Sequence, residues 1–112
     1  MSKESRINVK SYHELVDYNK DNTFHKIMKA LFKDREWGED NSVYLNRDDV
    51  DLVIETLFDY LKADEYEDFH LNGDMIEKAS FQHDDYIYNL IRSLKFELRD
   101  YDGCDEFMYE YY

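Results

Sequence analysis

Apolar side chains recur at helical spacing through much of the chain. Val50, Val53, Ile54, Leu57 and Leu61 form one face, and Asp51, Glu55 and Asp59 fall almost opposite, with Asp48 beside them. Asn46 is placed to cap this helix. Asp48 and Asp49 sit in its first turn, where carboxylates suit the positive end of the helix dipole. Ile87, Leu90, Ile91, Leu94, Leu98 and Tyr101 define a second long helix over 84–101, with Arg92, Lys95 and Arg99 on one outer flank. Gly103 fits its stop, as a left-handed residue after a helix end. Phe24, Ile27, Met28 and Leu31 predict a helix over 24–35, opened by Thr23 or Asn22, with Lys26, Lys29 and Lys33 on its other side. Ser11-Tyr12-His13-Glu14 has the form of a capping box and predicts a helix over 12–20, with Tyr12, Leu15 and Val16 inward.

Two segments admit more than one reading. In 64–83, Asn72-Gly73 suits the two-residue turn of a tight hairpin over 69–76. Asn72 equally suits the cap of a short helix over 73–80. Leu45-Asn46-Arg47-Asp48 and Leu71-Asn72-Gly73-Asp74 share the form Leu-Asn-x-Asp, and this echo favours the helix. The tail, Asp105 to Tyr112, is aromatic enough to dock as a final turn or strand, or to stay free for a partner. Proline is absent and glycine occurs only at 38, 73 and 103, which favours helices over a many-turned β fold. The expected fold class is therefore mainly α. It is a compact single-domain helical bundle of four to six helices over 1–112, with one short β-hairpin near 69–76 as the option for that segment.

Composition narrows the function without selecting it. Aromatics make up 17% of the 112 residues, including 11 Tyr and 7 Phe, which is unlike a disordered acidic tail. Cys104 is the one cysteine and has no partner within the chain, which fits a reducing, cytoplasmic setting. The first ten residues, MSKESRINVK, hold no apolar signal core, and no apolar run approaches the length of a membrane span. The net charge is −13, which disfavours direct binding to nucleic acid or to an anionic membrane. The charge is also uneven. Residues 1–37 carry eight basic and six acidic side chains, and residues 38–112 carry six and twenty-one. The first part reads as a near-neutral helical pair, packed on a strongly acidic helical body.

Catalytic and metal chemistry finds little support. His13-Glu14 lacks the second histidine of a zinc-protease helix. His13, His25, His70 and His83 show no ligand spacing, and one cysteine builds no structural zinc site. His83-Asp84-Asp85 reads as a helix start. A calcium loop with Gly73 at its sixth position would need carboxylates where His70 and Ala79 stand. No phosphate-binding glycine loop and no nucleophile elbow occur. The expectation is a protein that is not an enzyme, with no cofactor, no metal and no catalytic residues.

The acidic rows carry the functional reading. Asp48, Asp51, Glu55 and Asp59 span about 16 Å of helix at about 1.5 Å per residue. Their charge density comes within about a factor of two of one DNA strand, with its phosphate about every 3.4 Å. A second group is Asp64, Glu65, Glu67 and Asp68, and a third is Asp100, Asp102, Asp105, Glu106 and Glu110. Tyr60, Tyr66, Tyr101 and Tyr109 are interleaved, and such rings are common anchors at interfaces. An acidic helix face also serves solubility. Here, however, the excess over 38–112 brings self-repulsion that solubility alone does not require.

A short, cysteine-poor, acidic, Tyr-rich chain with carboxylate-lined helices resembles the small DNA-mimic inhibitors of phages and mobile elements, such as antirestriction and anti-CRISPR proteins. The resemblance is one of composition and covers mainly residues 39–112. It implies inhibition by occupancy of the basic nucleic-acid-binding site of a partner protein, in the cytoplasm of the host. Asp48, Asp51, Glu55, Asp59, Asp64, Glu65, Glu67, Asp68, Asp102, Asp105, Glu106, Glu110, Tyr66 and Tyr109 are the expected partner-binding residues. Two other classes stay open. One is an immunity or antitoxin-like protein that neutralises a basic nuclease. The other is a self-associating module, monomer or homodimer, in which Arg92, Lys95 and Arg99 pair with Asp51, Glu55 and Asp59.

Overall fold

A four-stranded antiparallel sheet, absent from the helical-bundle expectation, forms one layer of the molecule, and three helices cover one of its faces. The computed structural model describes residues 4–9, 14–63, 68–78 and 81–112, with the backbone alone for 81–83. The element order is β1 (Ser5–Val9), β2 (Glu14–Tyr18), α1 (Thr23–Leu31), β3 (Ser42–Leu45), α2 (Arg47–Lys62), β4 (Phe69–Leu71), β5 (Asp74–Ile76), α3 (Phe81–Arg99) and β6 (Phe107–Tyr111). The fold class is thus α+β, and the mainly helical four-to-six-helix bundle is corrected. The large sheet has the order β2-β1-β6-β3, and β4 and β5 make a separate two-stranded sheet.

The sheet is built from the two ends of the sequence. β6 lies between β1 and β3, antiparallel to both, with Ile7 opposite Tyr109 on one side and Val43 opposite Tyr109 on the other. Its Phe-Met-Tyr-Glu-Tyr sequence alternates buried and part-exposed residues, as a strand with one covered face should. The tail is therefore a central strand and not a free segment.

The expected helix over 12–20 is overturned where it can be seen. Residues 14–18 are strand β2, while Ser11, Tyr12 and His13 lie outside the described residues. The apolar spacing was misleading for a physical reason. The β1–β2 register shifts between Ile7, paired with Val16, and Asn8, paired with Glu14, so Leu15 is the extra residue of a bulge. A bulge breaks the two-residue alternation, and adjacent Leu15 and Val16 are both buried. Apolar residues at 15, 16 and 18 then imitate a helical face.

Three helices match their predicted stretches, with changed bounds. α1 stops at Leu31 rather than 35. The Asn22 side chain makes no cap bond, and Asp21 Oδ1 accepts the Thr23 N–H instead, at 2.9 Å. α2 opens as expected: Asn46 accepts the Asp49 N–H, and the Asp49 side chain accepts the Asn46 N–H, a full capping box. α3 ends at Arg99, and Gly103 takes φ +89° four residues later, at the end of an intervening turn.

The segment after α2 is the hairpin and not the capped helix. Asn72 and Gly73 have φ of 50° and 85°, the paired left-handed conformation of a type I′ turn, and Phe69 pairs with Ile76. The Asn72 side chain does cap a helix, but at a distance: its Nδ2 donates to Ala30 O at 3.1 Å, at the end of α1. Lys78 ties α2 to α3. It is buried, donates from Nζ to Tyr60 O at 2.6 Å and lies 3.4 Å from Asp84 Oδ1. The core joins Ile7, Phe107 and Tyr109 of the sheet to Phe24, Ile27 and Met28 of α1, Val50 and Leu57 of α2, and Ile87, Ile91 and Leu94 of α3.

Candidate functional site

α2 is anchored firmly before it presents any charge. Arg35 donates from Nη1 and Nη2 to the two carboxylate oxygens of Asp49, at 2.9 and 2.7 Å. Asp49 thus serves both the helix cap and a bidentate ion pair. The Arg35 hydrogen bonds hold its carboxyl below the usual range, against the opposing effect of its burial. Val50, Val53, Ile54 and Leu57 face the core. Asp48, Asp51, Glu55 and Asp59 are all exposed on the outer side. None of the four forms an ion pair or a side-chain hydrogen bond among the described residues. Leu52, 41% exposed, sits among them.

Asp102 and Asp105 of the third acidic group are brought to the same end of α2 by Arg47. Its guanidinium donates from Nε to Cys104 O at 3.1 Å and from Nη2 to Tyr101 O. Its backbone N–H donates to Asp105 Oδ1 at 2.9 Å. The 100–106 turn is thereby held at the start of α2. Asp102 and Asp51 line one groove of about 550 Å³ between α2 and α3. Two separate acidic groups of the sequence thus meet in one surface.

The opposite sign lines the far wall of that groove. Lys95, Leu98 and Arg99 of α3 share it with Arg47, Asp51 and Ile54. Lys95 Nζ lies 5.2 Å from the Phe58 ring centroid, and Arg92 lies over the Tyr88 ring at 5.9 Å. Arg92, Lys95 and Arg99 form no ion pair among the described residues, so the expected pairing with Asp51, Glu55 and Asp59 is not made within the chain. The exposed carboxylates of α2 therefore border a groove of mixed charge, with Arg47, Lys95 and Arg99 beside Asp51 and Asp102.

Comparison with known protein families, curated proteins and solved structures returns no match.

The remaining expected residues divide three ways. Asp68 is exposed just before the hairpin, while Asp64, Glu65, Tyr66 and Glu67 lie outside the described residues. Glu110 is on the outer face of the sheet, opposite Arg6, away from α2. There Arg6 lies within 4.0 Å of Glu4, Glu14 and Asp17, which makes a second acidic patch around one cation. Burial, then neighbouring Glu4, pushes the Asp17 carboxyl up. Tyr109 is no surface anchor: it is fully buried, and its hydroxyl donates to Ser5 Oγ at 3.1 Å and accepts from His25 Nδ1 at 2.8 Å. Burial pushes its hydroxyl well above the ordinary tyrosine range. Glu106 is exposed at the foot of β6, where it lines a separate hollow with Tyr44 and Met108.

Sequence reasoning missed Arg47 and Leu52 at the site, and Phe96, which lines a neighbouring hollow on α3 with Arg92, Lys95 and Arg99. Arg47 leaves no local signal, because its partners are 54 to 58 residues away. Phe96 was legible in principle, as a large apolar residue off the core face of α3, next to Lys95. Among the described residues, no group of three or more His, Cys, Asp or Glu is arranged to hold a metal ion. No helix among them is long and apolar enough to cross a membrane.

Proposed function

We propose that this protein is an acidic inhibitor that occupies the basic nucleic-acid-binding site of a partner protein in the host cytoplasm. This is an anti-defence role of the antirestriction or anti-CRISPR kind. The carrying observation is the exposed row of Asp48, Asp51, Glu55 and Asp59 on a helix fixed at its start by the Asp49–Arg35 pair. A helix-borne row of carboxylates with no ion pair among the described residues presents charge at near-phosphate density without needing to be ordered on binding, so little conformational entropy is lost. Asp102 and Asp105 extend the row at its first turn. A cleft lined by Lys and Arg would be drawn to this side of the molecule and denied to DNA or RNA, and no bond is made or broken.

The test is competition. The protein, immobilised at about 50 mM salt, is loaded with host lysate and then challenged with duplex DNA. Partners should be released by DNA and should be lost at about 200 mM salt, with affinity falling on the order of a thousandfold. The D51K/E55K/D59K variant, with unchanged circular dichroism, should retain none of them. A partner that ignores excess DNA and survives the triple reversal would overturn the reading.

A further inference from the structure

α2 and α3 lie side by side with opposite charge on their outer sides, and each carries one exposed apolar residue within its charged row. On α2, Leu52 is 41% exposed among Asp48, Asp51, Glu55 and Asp59. On α3, Phe96 is 63% exposed among Arg92, Lys95 and Arg99, and Tyr88, one turn before Arg92, is 49% exposed. In a chain of net charge −13 with only 14 basic residues, three cations that form no ion pair among the described residues, beside an exposed phenyl ring, form a distinct surface.

We propose that this two-helix face is a homodimer interface, with α2 of each copy lying on α3 of the other. The geometry selects the arrangement. The two helices are antiparallel: Asp51, near the start of α2, shares a groove with Leu98, Arg99 and Asp102 at the end of α3, and Phe58 lies beside Lys95. A two-fold axis parallel to the helices, along the groove, exchanges α2 for α3 and keeps every residue at its own level. Asp51 of one copy then stands at the level of Arg99 of the other, Glu55 at that of Lys95 and Phe96, and Asp59 at that of Arg92. Helix rise accounts for this register, since each step along α2 is matched by one step back along α3. A two-fold axis perpendicular to the helices would instead stack acid on acid and base on base. Self-complementarity across one axis is what an isologous dimer requires. The charges nearest the axis, Asp51, Lys95 and Arg99, line the groove, and the exposed Leu52 and Phe96 lie outside it, one on each helix.

The dimer covers the same carboxylates as the proposed partner site, so second copy and partner exclude each other. Its test contains no partner and stands or falls alone. Sedimentation equilibrium of the wild-type chain over a concentration series should show a monomer–dimer equilibrium at low salt that dissociates at high salt. K95E/R99E and D51K/E55K should each raise the dissociation constant on the order of a hundredfold or more, since like charges then face each other. Mixing the two variants should restore a heterodimer, because one supplies two acidic helices and the other two basic ones. A wild-type chain that stays monomeric at every concentration in low salt would overturn the proposal. So would folded variants that fail to associate on mixing.

Discussion

Asp49 is the residue on which the presenting helix depends most. Its two oxygens serve Arg35 and the Asn46 N–H together, so one carboxylate fixes both the start of α2 and its link to the segment after α1. Asp49→Asn keeps the shape but removes the charge, and should cost about 1–2 kcal/mol in thermal or urea unfolding. The pH dependence follows from the direction of its shift. The folded-state carboxyl titrates below the unfolded value of about 3.9, so its stabilisation is complete above about pH 4. It is lost as pH falls through the lower, folded-state value. Asp49→Asn should therefore flatten the acid limb of the stability profile. An unchanged profile would show that Arg35 and Asp49 do not pair in solution. Asp49 was legible as a first-turn acid, but Arg35 was not legible as its partner, because the ion pair crosses a loop that no spacing rule describes.

Elements with their own local signature were readable, and those that draw it from a neighbour were not. α2 and α3 each carry several turns of apolar residues on one side, and both were found. β2 hides behind a bulge, and β1 has only Ile7 and Val9 to mark it. The hairpin had the right turn residues, but the Leu-Asn-x-Asp echo pointed to a helix. What decided it is tertiary: Asn72 spends its side chain on the α1 carbonyls, and Phe69 packs edge-on against Tyr60 at 5.6 Å. Gly73 at φ +85° has room for a methyl group, since the nearest atom to an added Cβ is Lys33 Nζ at 3.6 Å. Gly73→Ala should thus cost only backbone strain, about 1–2 kcal/mol. Asn72→Ala should cost a similar amount while fraying the last turn of α1, seen as faster amide exchange at Leu31 and Phe32. Equal protection in the wild type and the variant would remove the hairpin from the role of a cap.

At the scale of the molecule, charge is the dominant variable. The acidic rows of α2 and the 100–106 turn share one side, and Glu4, Glu14, Asp17 and Glu110 crowd Arg6 on the open face of the sheet. Screening should relieve this repulsion more than it weakens the few ion pairs. The melting temperature, measured at a concentration low enough for monomer, should rise by several degrees with added salt. A fall would mean that paired charges outweigh crowded ones. The uneven charge and its concentration on α2 were visible in the sequence. The mixed character of the α2–α3 groove was not, because it arises where two helices remote in sequence lie antiparallel.

The central position of β6 bears on how the chain folds as it is made. β1 is synthesised first, yet one of its two neighbours in the sheet lies 98 positions later, from Val9 to Phe107. At about 5–20 residues per second, a ribosome takes roughly 5–20 s to cover that distance. For that interval β1 and β2 form at most a two-stranded ribbon with an open edge, and such a ribbon is barely stable in water. The sheet therefore closes late and all at once, when Phe107–Tyr111 slides between β1 and β3, and the nascent chain is most vulnerable to proteases and to strand exchange just before that moment.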